Sequence, residues 1–166
     1  FAVPFLLGAF SEPDVSTLLT EALLDPEPIV IRRAAESLIR AGLSPSISLG
    51  DESKLIDGLR ACLQNTDRFV RFSCRQVLRR IPSTNWQKYL VHKPNENTRL
   101  AFETLLAYAQ EMSSSHQAKI LFSQLEKIQL KKLDPDDLLD YLRLLQIGLI
   151  RDPRDRAGGK PAYAIG

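Results

Sequence analysis

The sequence predicts an all-α fold, an α-solenoid in which antiparallel helical hairpins stack side by side. Three observations carry the prediction. Apolar residues recur at spacings of three and four almost everywhere, and no stretch alternates with the period of two that a half-buried strand needs. Helix start and stop signals punctuate the chain at regular intervals. The chain also matches itself without a gap when shifted by 40 residues.

The first start signal is Ser11-Glu12-Pro13-Asp14, where Ser11 is placed to cap, Asp14 to reach back, and Pro13 fits the first turn. A helix through Val15, Leu18, Leu19, Ala22 and Leu23 follows, broken by Asp25-Pro26-Glu27-Pro28. Helical spacing resumes from Ile29 to Ala41 and stops at Gly42, a residue suited to a left-handed C-terminal cap. After a stretch rich in Ser, Gly and Pro, Asp51 opens a third helix carrying Leu55, Ile56, Leu59, Cys62 and Leu63. Asn65-Thr66-Asp67 turns the chain, and Asp67 is placed to cap a helix over Arg68–Arg80 that ends before Pro82.

In the 40-residue register Val15 falls on Leu55, Leu19 on Leu59, Leu23 on Leu63, Ile29 on Phe69, Val30 on Val70 and Leu38 on Leu78. Ala22 and Ala34 fall on Cys62 and Cys74. A hairpin of this length cannot cover its own apolar faces, so such units bury a continuous core by stacking.

The segment from Asp25-Pro26-Glu27-Pro28 through Ile29-Val30-Ile31-Arg32-Arg33-Ala34-Ala35-Glu36-Ser37-Leu38 resembles the turn and second helix of a HEAT-type repeat. In that family two turn acids precede a Val-Arg pair, two alanines and a leucine. The second copy keeps Val70-Arg71 but has Asn65 for the first acid and Arg75 for the second alanine, while Ile31 holds the arginine position of the first copy. The resemblance implies a right-handed solenoid of HEAT-like repeats, and a ladder between repeats in which Asp67 and Arg71 are structural.

Beyond Pro82, Thr84 to Val91 reads as a short helix and His92 to Asn97 as a connection. Three longer helices are expected at Asn97–Met112, Ser114–Leu130 and Pro135–Ile150, with Ser114 and Gln117 as a capping pair and Asp134 as the last cap. Each is expected to bury one stripe: Leu100, Leu105 and Leu106; Ile120, Leu121, Leu125 and Ile128; Leu138, Leu142, Leu145 and Leu149. The domain expected is therefore a solenoid over 1–150, with repeat pairs at about 11–42, 51–82 and 97–131 and a partial unit at 134–150. Residues 151–166 lose the stripe and read as an extended or mobile tail. Apolar Phe1, Phe5, Leu6 and Leu7 at the start lead us to expect an array cut from a longer protein, in which a preceding unit covers them.

Composition excludes several classes. The chain has 166 residues, 44% hydrophobic and 25% charged, enough apolar material to offset the entropy of ordering. Its net charge of +2 makes no case for an anionic partner, so any such case must come from local clustering. No apolar run approaches the roughly 20 residues of a membrane span, so no membrane insertion is expected. No P-loop, dinucleotide-binding glycine motif or nucleophile elbow is present.

Few residues suggest chemistry. Cys62 and Cys74 replace alanines in the repeat register and are expected to be small free-thiol core fillers rather than a disulfide. His92 and His116 lie apart, and Asp134, Asp136, Asp137 and Asp140 stand at a helix start, where carboxylates favour the dipole. Hence no catalytic residue, no metal site and no cofactor is expected. Trp86 is expected to be a core or staple residue under the short helix, ahead of a binding anchor or a base-contacting residue. The cluster above background is basic: Arg68, Arg71, Arg75, Arg79 and Arg80, with no acid among residues 68 to 80. On a helical wheel Arg68, Arg71, Arg75 and Arg79 share one arc with Phe72 beside them, and Val70, Cys74, Val77, Leu78 and Ile81 occupy another. Guanidinium groups at successive turns suit carboxylate or phosphate recognition, so Arg68, Arg71, Phe72, Arg75 and Arg79 are the candidate binding residues.

The expected role is a non-enzymatic scaffold that meets another protein or a neighbouring domain of its own chain. The alternative implied by the resemblance is a nucleic-acid-binding protein of the DNA alkylation-repair glycosylase type, which would use the basic stripe Arg68 to Arg80. The repeats also resemble those of bilin-lyase relatives and of large bacterial extracytoplasmic proteins with haem or propeller domains. The chain has neither a Cys-x-x-Cys-His haem motif nor a feature specifying a tetrapyrrole pocket.

Overall fold

The computed structural model describes residues 13–41, 49–82, 84, 86 and 98–151. Among them all regular structure is helical, with no strand. The α-helices are α1 (Pro13–Glu21), α2 (Pro28–Ala41), α3 (Leu49–Cys62), α4 (Arg68–Leu78), α5 (Thr98–Glu111), α6 (Ser115–Leu125) and α7 (Pro135–Arg151). Single 3-10 turns follow α1 at Ala22–Leu24 and α6 at Leu130–Lys132. The chain divides into two compact units, Phe1–Val91 and His92–Gly166. The expected cap Ser11, the stop at Gly42, the connection at 92–97 and nearly all of the expected tail lie outside the described residues.

In the first unit α1 packs on α2 and α3 on α4, while α1 also meets α3 and α2 meets α4. First helix thus lies against first helix and second against second. The 40-residue register has a direct counterpart in burial: Leu19 and Leu59, Leu23 and Leu63, Leu38 and Leu78, and Ala34 and Cys74 are all buried. Gly58 is the close approach between the first helices, since a Cβ there would stand 3.4 Å from Leu23 Cβ and from the Thr20 carbonyl oxygen.

The two turns repeat as well. Asp25 Oδ1 accepts the Glu27 amide at 2.8 Å, and Asn65 Oδ1 accepts the Asp67 amide at 2.8 Å. The turn needs a side-chain oxygen two residues before its end rather than a negative charge, so asparagine serves where the first copy has aspartate. Pro28 opens α2 at the position where a missing amide costs nothing. Asp67 caps α4, its Oδ1 accepting the Phe69 amide at 2.7 Å.

The two cysteines correct the free-thiol expectation. Cys62 and Cys74 form a disulfide, with Cα atoms 6.4 Å apart, and no described cysteine is free. Cysteines at different heights on two neighbouring helices would be too far apart to bridge. But α3 ends at Cys62 and the chain doubles back at once, which brings the second turn of α4 level with it, inside the range a disulfide spans. Both residues are buried, so the small-residue position of the repeat is still filled inside the core.

In the second unit α5, α6 and α7 each touch the other two. The expected caps are in place: Ser114 and Gln117 form a reciprocal capping box, and Asp134 Oδ1 accepts the Asp137 amide at 2.8 Å. The burial differs from one stripe per helix. α5 is buried around its circumference from Leu100 to Ala109, and Thr104 satisfies its hydroxyl by donating to the Leu100 carbonyl within its own helix. α7, by contrast, buries Leu144 and Gly148, and its expected stripe is open: Leu138 and Leu142 are exposed and Leu145 and Leu149 half-buried. Gly148 sets this rotation. A Cβ there would stand 2.9 Å from Phe122 and 3.1 Å from Leu121, so α7 turns its glycine toward α6.

Two outcomes follow from this packing. Leu38→Ala and Leu78→Ala should each cost about 2–5 kcal/mol in denaturant unfolding, as truncations of fully buried leucines; a negligible loss at either would break the register. Alkylation without prior reduction should leave the mass unchanged, whereas reduction should expose two thiols and cost about 3 kcal/mol for a loop of this length. Two adducts on the unreduced protein would refute the bridge.

Candidate functional site

α4 owes its two faces to its sequence. Val70, Cys74, Val77 and Leu78 are buried on the side toward α2 and α3, while Arg68, Phe69, Phe72, Arg79 and Arg80 are exposed. Phe69 and Phe72 stand one helical turn apart and are each 51% exposed. Full burial of a phenylalanine is worth about 1.5–3 kcal/mol, so two half-open rings on one face represent forgone stabilisation.

Arginines clothe these rings. The Arg68 guanidinium lies 4.9 Å from the Phe69 centroid, and Arg32 of α2 lies 5.5 Å from the same ring. The Arg75 guanidinium lies 5.4 Å from the Phe72 centroid. Such stacks are attractive because the ring face is negative, at about 0.5–1 kcal/mol on exposed sites.

The five candidate residues thus separate by role. Arg68, Phe72 and Arg79 share the open face, and Arg79 also donates to Gln76 Oε1 at 2.9 Å. Arg75 belongs to the same group but is 5% exposed, lying behind Phe72. Arg71 turns away: its Nη1 donates to the carbonyls of Asn65 and Thr66, each at 2.9 Å, and so ties α4 to the turn before it. Phe69 and Arg32 were not anticipated. The repeat register paired Phe69 with Ile29, which suggested core, yet Ile29 is half-buried and Phe69 open. The available signal was the spacing of three from Phe69 to Phe72 on a helix otherwise rich in arginine.

Other candidates carry less. Trp86 is buried and its Nε1 donates to the Ile81 carbonyl at 3.1 Å, so the ring is core rather than surface. Among the described residues no three His, Cys, Asp or Glu side chains come together as a metal site, and no helix is long and apolar enough to cross a membrane. A cleft of about 180 Å³ between α1 and α3, lined in part by Thr20, Glu21, Lys54 and Asp57, is smaller than the pockets that enclose organic ligands.

Compared with known protein families, characterised proteins and solved structures, the chain matches none.

Asp67 holds the start of the helix that presents this face. Asp67→Ala should cost about 1 kcal/mol through loss of the cap, measured by urea unfolding, and an unchanged midpoint would show that the cap contributes nothing.

Proposed function

We propose that this chain is a segment of HEAT-like repeats forming a right-handed α-solenoid, and that it works as a non-enzymatic scaffold for another protein or a neighbouring domain of its own chain. The repeat reading is supported by the pairing of like helices in the first unit, by the matched burial and by the same side-chain turn 40 residues apart. The contact surface is the open face of α4. The observation that carries this role is the pair of half-exposed phenylalanines, one turn apart and stacked with arginine. Aromatic residues and arginine are the residue types enriched in protein interfaces and among their energetic anchors. The disulfide fits a chain that folds where thiols are oxidised.

Nucleic-acid binding of the alkylation-repair type is the second reading, favoured by the acid-free run from 68 to 80. Four observations weigh against it. Trp86 is buried, Arg71 is engaged by its own turn, and Arg75 lies beneath Phe72, which leaves a short phosphate track. The Phe69 ring, which would stack on a base, also has the Arg68 and Arg32 guanidinium groups 4.9 and 5.5 Å from its centroid.

Fluorescence anisotropy of a labelled duplex and a labelled single strand, titrated at two salt concentrations, separates the readings. The scaffold reading expects no binding at low salt. Steep salt-dependent binding, lost in an Arg68→Glu/Arg79→Glu variant, would replace it with the nucleic-acid reading, since counterion release marks phosphate contact. Arg68 and Arg79 are the positions to reverse because both are exposed, whereas reversing buried Arg75 would disturb the core.

A further inference from the structure

We infer that the open face of α4 recognises carboxylates, and that its partner is an acidic protein segment in which glutamate or aspartate side chains stand beside apolar ones. This rests on the protein-binding reading and adds the partner's chemistry.

The charge on this face is one-sided. Arg68, Arg79 and Arg80 are exposed, Arg32 joins from α2, and no acid occurs between residues 68 and 80. Two acids beside these helices have partners among the described residues. Asp67 accepts the Phe69 amide at 2.7 Å, and Glu36 pairs with Arg33 at 2.7 Å.

The ring contacts add a second feature to the charge. The Arg68 guanidinium carbon lies 4.9 Å from the Phe69 centroid and Arg68 is exposed, so a guanidinium edge with its in-plane N–H donors stays open to a partner. That edge matches the two oxygens of a carboxylate. The ring also displaces water from one side of the cation, so less hydration remains to be lost when an anion arrives. A neutral or basic partner would cover these cations without replacing their water, at a net cost.

The rings define the rest of the ligand. Phe69 and Phe72 are open for half their surface, and apolar side chains on the partner would bury what remains. Each carboxylate is therefore expected next to an apolar residue. Phosphate shares the anionic chemistry, but a nucleic-acid backbone brings no apolar groups to the ring edges.

The test uses the whole chain and two labelled peptides: one of glutamate and leucine at helical spacing, and a twin with glutamine for every glutamate. Anisotropy should show the glutamate peptide binding at least about tenfold more tightly than its twin, the scale of a charge-assisted pair, with the advantage shrinking as salt rises. Arg68→Glu/Arg79→Glu should abolish the difference, and Phe72→Ala should weaken both peptides, with melting temperatures near that of the parent. Equal binding of the twins, or no binding of either, overturns the inference while leaving protein binding in place. Preference for an oligonucleotide over both peptides overturns the inference and the protein reading together.

Discussion

A two-helix hairpin has more apolar surface than it can hide within itself, and the first unit is the answer to that constraint. Covering the stripe of α2 requires another helix with a matching stripe, and α4 supplies it while α3 covers α1. Because both hairpins carry the same spacing, one geometry of contact serves both pairs. Small residues at Ala34, Ala35, Ser73 and Cys74, all buried, keep the interior of these second helices low in bulk. The arrangement also dictates what is left over. A helix that uses one side on its hairpin partner and another on the preceding hairpin retains a third side, and on α4 that side carries Arg68, Phe69, Phe72 and Arg79.

The turn between α3 and α4 shows how closely fold and surface are joined. Asn65 closes the turn, Asp67 caps the helix that follows, and Arg71 reaches back to two turn carbonyls. The disulfide from Cys62 to Cys74 fastens the same hairpin from within. With so many short-range ties the first two turns of α4 are fixed in angle, and the two phenylalanines are fixed with them. A rigid platform loses little side-chain and backbone freedom when a partner lands, which favours affinity.

The sequence made the helices, their caps and the 40-residue register legible because each depends on near neighbours. Ser114 with Gln117, Asp67 and Asp134 all cap as their spacing implies. What escaped were properties set by how far helices rotate and converge. The cysteines form a bridge because the hairpin closes tightly at the end of α3, a distance that no wheel projection contains. α7 leaves Leu138 and Leu142 open because Gly148 allows it to seat closely against Phe122, and a stripe of leucines cannot reveal that a glycine elsewhere will win. The candidate surface was half legible. Arginine spacing located Arg68, Phe72 and Arg79, but periodicity could not tell an exposed arginine from one tied to a turn, and the register concealed Phe69 by pairing it with Ile29.

Among the described helices two expose more than one large apolar residue each, and they differ in the company those residues keep. On α7 the exposed large apolar residues are Leu138, Leu139, Leu142 and Ile150, with exposed Arg143 at their edge. Such a face favours any apolar surface of suitable shape, since hydrophobic attraction is non-directional. On α4 the open rings stand among guanidinium groups, Phe69 beside Arg68 and Arg32 and Phe72 against buried Arg75, so a partner that buries the rings would also cover the exposed cations. The two demands are separable in energy but not in space, and the proposed ligand, which brings carboxylate and hydrocarbon together, would meet both. Under the proposed reading, selectivity on α4 would arise less from how much area is buried than from the cost of covering a cation without an anion.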